Sequence, residues 1–210
     1  MRITIEKLLM EPSIPNDTEP AKTDGKRPSG IGESIKELVS FVVLSLLIII
    51  PFRMFIAQPF VVSGASMDPT FKNGDYLIVD EISYRFGEPQ RGEVLIFKYP
   101  KNPSQAFIKR IIGLPGETLE IQNGHVTVKN DAYPEGLELS EEYVKYVQSS
   151  YMTVTLADDE YFVMGDNRAG SLDSRTWGPL KRSFFIGKPF VRLLPVGEVS
   201  LLPGDASDSY

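Results

Sequence analysis

The sequence predicts a mostly β domain that follows one N-terminal transmembrane α-helix. Three observations lead to this prediction: a long apolar run that ends before residue 58, a change after it to short apolar runs, and prolines between those runs. With 210 residues, the chain has room for one well-packed domain and an anchor, but not for two full domains.

The first 35 residues are predicted to form a disordered tail on the cytoplasmic side. They contain Pro12, Pro15, Pro20 and Pro28 among Asn, Asp, Thr, Ser and Gly. A segment of this composition cannot bury enough apolar surface to fold by itself, and it therefore favours disorder.

Residues 36–58 are predicted to form a transmembrane anchor. The stretch from Leu38 to Ala57 is the length that a helix needs to cross a bilayer, and its one charged side chain, Arg53, lies near the end where it can reach the headgroups. A buried core helix and a cleavable signal peptide are the alternatives. The long leader of mixed charge argues against a signal peptide, and so we expect an uncleaved anchor.

The basic residues on the two sides of this segment predict its orientation. Lys22, Lys26, Arg27 and Lys36 lie within about 20 residues before the segment, whereas only Lys72 lies within that distance after it. The positive-inside rule therefore places the N-terminus in the cytoplasm and the C-terminal part outside.

Residues 59–203 are predicted to form the β-rich domain. Short apolar runs with turn residues between them predict the strands, namely DYLIVDEISY, EVLIFKYP, AFIKRIIG, TLEIQNG, HVTVKN, YMTVTL and EYFVMGD. Residues 131–150 are acidic and predict a short helix or an insertion, and residues 204–210 predict a disordered tail.

Charge and composition exclude several classes of function. The net charge of −6 argues against a nucleic-acid partner. The absence of cysteine excludes a disulfide framework, a thiolate metal site and a cysteine nucleophile. His125, the one histidine, follows a predicted hairpin turn, and so we expect it to be an exposed turn residue.

Ser66, in the segment SGASMDPTF, is a candidate nucleophile. Gly64 permits unusual backbone angles beside it, and Pro69 keeps the segment from continuing as a central strand. A serine on such a loop can have an exposed hydroxyl and free backbone N–H groups around it, which suits acyl transfer. An ordinary turn gives the same pattern.

Lys109 is the candidate base for Ser66, because the usual histidine is nearly unavailable. Strand alternation in AFIKRIIG places Phe107, Lys109 and Ile111 on one face, where lost hydration lowers the pKa of an amine. Arg110 cannot serve, because it stays protonated at any relevant pH. A lysine that reaches solvent from an edge strand is the alternative.

The segment MGDNRAGSLDSRTWG, residues 164–178, is a third polar cluster. Asp173 and Arg175 alternate in a predicted extended stretch where they can form ion pairs, and Ser171 can hydrogen-bond a neutral amine. A polar turn and a calcium-binding loop are the alternatives, although calcium usually requires more carboxylates than this loop offers.

Together these clusters resemble those of type I signal peptidases, the Ser/Lys family of bacterial plasma membranes. The resemblance rests on five segments in the family's order: the anchor that ends in FRMFIAQPFVVSG, the nucleophile box SGASMDPTF, RGEVLIF at 91–97, the base box FIKRIIGLPGE at 107–117, and GDNRAGSLDSR at 165–175.

The resemblance implies a catalytic domain with the signal-peptidase-like β fold and a role for each site residue. Ser66 is then the nucleophile and Lys109 the general base, Ser171 orients the Lys109 amine, and Asp173 and Arg175 hold the site together. The Ser66 N–H forms part of the oxyanion hole. Gly64 stands where some members carry a serine hydroxyl, so the sequence leaves a side-chain oxyanion donor open.

The resemblance also implies the partners and the location. The substrates are the signal peptides of exported preproteins, which the enzyme cuts near the outer surface of the plasma membrane, next to the lipid bilayer and close to the secretion translocon. No cofactor is implied. We also expect an apolar surface near Phe60, Met67 and Phe71 to dip into the bilayer.

Two other readings of the sequence remain. A Ser/Lys autoprotease like the SOS repressors shares the dyad, but it carries a DNA-binding helix-turn-helix where this chain has an apolar segment. A membrane-anchored binding module, or a peptidase relative that has lost activity, has no need for both Ser66 and Lys109.

Overall fold

The computed structural model describes residues 31–55 and 57–207 of the chain. The predicted N-terminal tail up to residue 30, Ile56, and residues 208–210 of the predicted C-terminal tail lie outside the described residues.

Helix α1 runs over Ile31–Phe55 and contains most of the predicted anchor. Its apolar side chains are exposed where they are described; Phe41, for example, is 69% exposed and Leu47 66%. The helix begins earlier than the predicted span 36–58 and also ends earlier, because Ala57 and Gln58 belong to a strand. In the described part of the chain, no helix satisfies the length and hydropathy expected of a membrane span.

The rest of the described chain is mostly β, which confirms that prediction. The strands are β1 Ala57–Val61, β2 Tyr76–Asp80, β3 Val94–Tyr99, β4 Asn102–Gly113, β5 Thr118–Gln122, β6 His125–Lys129, β7 Leu137–Glu138, β8 Tyr151–Thr155, β9 Glu160–Met164, β10 Leu180–Lys181, β11 Phe185–Leu194 and β12 Ser200–Leu201. Two short helices, α2 over Ser83–Phe86 and α3 over Ser174–Trp177, lie between strands.

These strands form two antiparallel sheets within the described residues. The larger sheet has the order β1-β2-β11-β3-β4-β9-β10, with β12 paired to β11, and the smaller has the order β7-β6-β5-β8. Strand β4 is the longest, and it lies between β3 and β9 in the larger sheet. Strands far apart in sequence therefore lie side by side near Lys109.

Apolar side chains pack on both sheets and fix the loops between strands. Met67 and Phe71, in the loop between β1 and β2, are 1% and 0% exposed and pack with Leu77, Val79 and other core residues. The predicted membrane-dipping surface at Phe60, Met67 and Phe71 is therefore wrong for its last two residues, because their side chains form the core beneath the loop.

The structure also describes the acidic segment 131–150 and the first part of the predicted C-terminal tail. Residues 131–150 form an insertion that contains the short strand β7 and no helix, and its Leu139 packs in the core of the smaller sheet. In the described part of the predicted C-terminal tail, Arg110 donates to the carbonyl of Gly204, and the N–H of Ala206 donates to the carbonyl of Gly92.

Candidate active site

Ser66 lies in the loop between β1 and β2, half-buried above the core that Met67 and Phe71 form. Gly64 has a φ of 94°, which only glycine adopts readily, and its N–H donates to Asn73 Oδ1 at 2.9 Å. The loop is thus held from below by apolar packing and from one side by a hydrogen bond.

Lys109 projects from β4 toward this loop, with Nζ 2.7 Å from Ser66 Oγ. The amine also donates to the carbonyl of Ile108 at 2.8 Å, and the residue is 4% exposed. Burial lowers the pKa of Lys109 to about 8, against the opposing attraction of Asp173 and Asp166. A large fraction of the amine is therefore neutral near pH 8.

Asp173 and Arg175 form an ion pair, in a geometry that the sequence did not predict. Asp173 caps α3 by accepting from the N–H of Arg175, and Arg175 Nε and Nη2 each donate to its carboxylate at 2.8 Å. The stretch is therefore the start of a helix rather than extended. Although burial alone raises the pKa of Asp173, the Arg175 guanidinium holds it below its usual value.

This pair fixes the loop after β9 that carries Ser171. Asp173 Oδ2 accepts from the N–H of Gly165 at 3.1 Å, and Arg175 Nη2 donates to the carbonyl of Arg168 at 2.7 Å. Two carboxylates of the loop, those of Asp166 and Asp173, are bound to arginines. They are therefore not free to bind calcium, which argues against the calcium-loop alternative.

Ser171 lies close to Ser66 but is hydrogen-bonded neither to it nor to Lys109. Among the described residues no hydrogen bond joins its hydroxyl to Ser66 or Lys109, whereas its closeness to the Asp173 carboxylate helps to hold the pKa of that carboxylate below its usual value. A Cβ built on Gly165 would lie 2.3 Å from Ser171 Oγ and 2.3 Å from the carbonyl oxygen of Ser66, so these three residues are in close contact. The role of Ser171 toward the Lys109 amine stays a prediction.

Arg110 and Asp166 form a buried ion pair next to Lys109 that the sequence analysis missed. Arg110 Nε and Nη2 donate to the two oxygens of Asp166 at 2.9 and 2.6 Å, and both side chains are 1% exposed. Asp166 also accepts from Thr70 Oγ1 at 2.5 Å. The pair therefore joins β4, the loop that carries Ser66 and the loop after β9. The signal for it was a second basic residue, directly after Lys109, in the apolar segment AFIKRIIG.

The insertion at 131–150 contacts the loop after β9. Glu141 accepts from both Nη atoms of Arg168, whose side chain is 2% exposed, and the ring of Tyr143 lies 3.9 Å from the guanidinium carbon of Arg110. Tyr146 accepts from the N–H of Ala169 through its carbonyl. No sequence signal pointed to these contacts.

A groove of about 270 Å³ lies next to Ser66 and Lys109. Apolar side chains supply most of its wall, among them Val62, Leu77, Ile96, Ile108 and Leu172. The groove can therefore hold an extended chain with small apolar side chains beside the serine hydroxyl.

His125 belongs to a different sheet from Lys109. It is the first residue of β6 in the smaller sheet, it is exposed, and its Nδ1 lies 2.7 Å from Glu138 Oε1. The predicted exposed position of His125 after the turn agrees with the structure. The Ser66 hydroxyl is instead contacted by the amine of Lys109.

Comparison with known proteins adds the following findings. Residues 35–194 match the family model described as "Signal peptidase, peptidase S26". The chain is 38% identical over 191 residues to the "Probable signal peptidase I-2" of Synechocystis sp., covering 88% of this chain and 85% of the relative. It is 37% identical over 193 residues to the "Signal peptidase I" of Leptolyngbya laminosa, covering 88% and 90%. A solved signal peptidase I from Enterococcus faecalis V583 is 33% identical and covers 48% of this chain and 96% of its own, with a TM-score of 0.41.

Proposed function

This chain belongs to the signal peptidase family, peptidase S26, and is a serine peptidase of that family; we propose that it is a membrane-anchored endopeptidase that removes signal peptides from exported preproteins with a Ser66/Lys109 dyad. The observation that carries the dyad is the 2.7 Å distance between Ser66 Oγ and Lys109 Nζ. The lowered pKa of the Lys109 amine, about 8, supports the same assignment.

In the proposed mechanism the neutral Lys109 amine accepts the proton of Ser66 as Oγ attacks the scissile carbonyl carbon. The carbonyl oxygen becomes an oxyanion that accepts from the Ser66 N–H. Protonated Lys109 then gives its proton to the leaving amine, the C–N bond breaks, and the signal peptide remains as an ester on Ser66. Water, deprotonated by Lys109, attacks this ester. The ester C–O bond breaks, Ser66 Oγ takes the proton back from Lys109, and the signal peptide leaves as a carboxylic acid.

Ser171, Asp173 and Arg175 are assigned supporting roles. Asp173 and Arg175 hold the ends of the loop that brings Gly165 against the carbonyl of Ser66. Ser171 has its hydroxyl close to Gly165 and to the Asp173 carboxylate, and we assign it the role of orienting the Lys109 amine. Gly64 provides the left-handed backbone that precedes the nucleophile.

The apolar groove supports the choice of substrate. Signal peptides carry small residues just before the scissile bond and two positions earlier, and an extended chain places those two side chains on the same face. Wall residues such as Val62 and Ile96 offer them shallow apolar contacts. The names of the relatives agree with this class of substrate.

The proposed location is the plasma membrane, with a single span, a cytoplasmic N-terminus and the β domain outside. Support comes from the apolar run Leu38–Ala57, from the exposed apolar side chains of α1, and from the basic residues before the run. In this location the lipid bilayer is a partner, the translocon is nearby, and the scissile bonds of emerging preproteins lie close to the β domain.

The experiment that tests the function uses the detergent-solubilised protein and a preprotein with an Ala-x-Ala cleavage site. Wild type is compared with Ser66→Ala, Lys109→Ala and the control His125→Ala, and mass spectrometry identifies the new N-terminus. We expect cleavage after the final Ala by wild type and His125→Ala, and none by the other two. Cleavage by Lys109→Ala would contradict the dyad, and no cleavage by folded wild type would contradict the function.

A further inference from the structure

Asn167 makes hydrogen bonds that the proposed mechanism does not use, to the nucleophile loop, which is residues 62–75 between β1 and β2. Its backbone N–H donates to the carbonyl of Ser66 at 3.1 Å. Its side-chain Nδ2 donates to the carbonyl of Ala65, also at 3.1 Å. Two successive carbonyls at the nucleophile are therefore held by one residue of a loop that lies about 100 positions later in the sequence.

The side-chain amide of Asn167 fits its surroundings in one orientation. Its Oδ1 accepts from the N–H of Gly170 at 3.0 Å, which caps the short 3₁₀ helix Arg168–Gly170. Its Nδ2 faces a carbonyl, which can only accept. Asparagine satisfies both neighbours with two separate groups. Aspartate can satisfy the capped N–H but has no donor for the Ala65 carbonyl, and serine offers one shorter hydroxyl in place of the amide's two groups.

The carbonyl of Ala65 belongs to the same peptide group as the N–H of Ser66. That peptide bond is trans, so the two groups are coplanar and point in opposite directions. A hydrogen bond that fixes the direction of the carbonyl therefore also fixes the direction of the N–H. The N–H of Asp68 also donates to this carbonyl, at 3.2 Å, so the peptide plane is held from two sides.

From this geometry we infer that Asn167 is a positioning residue for the oxyanion site: its amide aims the N–H of Ser66 at the oxygen of the scissile carbonyl. The inference rests on the proposed function, in which that N–H stabilises the oxyanion. Hydrogen bonds that are preorganised for the transition state gain most of their effect from fixed direction, and a peptide group free to rotate loses it.

The loop that carries Asn167 is rigid enough for this role. Arg168, the next residue, is 2% exposed, pairs with Glu141 and donates from Nε to the carbonyl of Gly165 at 3.1 Å. Tyr146 forms a β-bridge with Asn167 itself. Contacts with the insertion at 131–150 and within its own loop therefore hold Asn167 in place independently of the nucleophile loop.

The test compares full-length wild type with Asn167→Asp, which can retain the cap to Gly170 but has no donor, and with Asn167→Ser, which replaces the amide by a single shorter hydroxyl. The control is Gln122→Glu, which makes the same amide-to-acid change at an exposed position of β5. Three quantities are measured: kcat and KM on a preprotein, inhibition by a peptide aldehyde that ends in alaninal, and affinity for a reduced-amide peptide of the same sequence.

The aldehyde reports on the oxyanion site because Ser66 Oγ adds to its carbonyl carbon, the serine proton passes to Lys109, and the former carbonyl oxygen becomes the oxyanion. The reduced-amide peptide has no such oxygen and reports on ground-state binding alone. In both variants we expect kcat to fall roughly 10- to 100-fold, the aldehyde to bind weaker by a similar factor, and KM and reduced-amide affinity to change less than about threefold.

Three outcomes would overturn the inference. Wild-type kcat in both variants, with active wild type, would remove the role of Asn167 and leave the proposed function standing. Equal weakening of the aldehyde and the reduced-amide peptide, or a large fall in melting temperature in both variants, would indicate a general structural role. A wild type that cleaves no preprotein would remove the inference together with the function.

Discussion

At the scale of single residues, the burial of Lys109 leads to a prediction for the pH dependence of the proposed reaction. In that mechanism the amine must be neutral to accept the proton of Ser66, and its pKa lies at about 8. We therefore expect kcat/KM to rise with pH and to level off above an apparent pKa of about 8. Initial rates between pH 6 and pH 10 measure this, and a plateau that begins near the ordinary pKa of histidine would contradict it.

The same burial makes Lys109 a cost to stability. Its pKa in the folded protein, about 8, lies below the ordinary value of 10.5, so the unfolded chain binds more protons between these values and the free energy of unfolding rises with pH there. We expect Lys109→Met to be inactive. Its stability relative to wild type should fall by about 2 to 3 kcal/mol from pH 7 to pH 10. Denaturant unfolding at several pH values measures this difference, and a constant difference would show that the amine has an ordinary pKa.

Position 165 requires glycine because two neighbouring residues lie too close for a Cβ, and not because of an unusual φ angle. A Cβ at this position would lie 2.3 Å from the carbonyl oxygen of Ser66 and from Ser171 Oγ, so the loop after β9 would have to move away from the nucleophile. We expect Gly165→Ala to lower kcat at least about 10-fold. Gly197→Ala is the matched control, because a Cβ there has open space. Equal kcat in the two variants would show that the loop can move without harm.

At the scale of secondary-structure elements, the insertion at 131–150 stabilises the loop after β9. Glu141 is bound to the buried guanidinium of Arg168, and the side chains are 9% and 2% exposed. Loss of the carboxylate leaves a buried charge without its partner. We expect Glu141→Ala to lower the free energy of unfolding by about 3 to 5 kcal/mol. The neighbouring Glu142 is exposed, and Glu142→Ala should change it by less than about 0.5 kcal/mol. Denaturant titrations compare the two, and similar losses would contradict the buried pair.

Features that depend on local sequence patterns were predictable, whereas contacts between distant segments were not. Strand periodicity placed Lys109 on an apolar face, and turn residues marked the loop with Ser66, because both signals are local. The Glu141–Arg168 and Arg110–Asp166 pairs join segments 27 and 56 positions apart, and no local pattern encodes such partners. Met67 and Phe71 looked like an apolar surface for the same reason, since only the fold shows that a sheet covers them.

The predicted extended stretch at Asp173 failed for a different physical reason. The alternation of Asp173 and Arg175 predicts an extended stretch. An aspartate before a polar run is also a typical helix N-cap, and the structure has that cap. The Asp173 carboxylate accepts from the backbone N–H of Arg175 and from its guanidinium, so it caps the helix and forms the ion pair at the same time. Tertiary contacts with Gly165 select this conformation.

At the scale of the whole molecule, the antiparallel order of the larger sheet assembles the site. Ser66 follows β1, Lys109 lies on β4, and Asn167 and Ser171 follow β9, which pairs with β4. All of these residues lie beyond residue 57, in the β domain. The chemistry therefore depends on this sheet, whereas the proposed membrane attachment depends on the apolar segment before it.

This separation leads to a prediction for membrane attachment. The described side chains of Leu44 and Leu47 in α1 are 59% and 66% exposed, and a lysine at the centre of a span costs roughly 2.5 to 3.5 kcal/mol of insertion free energy. In a vesicle flotation assay, a smaller fraction of Leu44→Lys/Leu47→Lys should therefore float with the lipid than of wild type. In detergent solution the same variant should cleave a short peptide at the wild-type rate. Gln122→Lys/Thr153→Lys adds the same charge on the exposed face of the smaller sheet and should float like wild type. If both double variants floated equally well, the apolar segment would not be what attaches the chain to lipid.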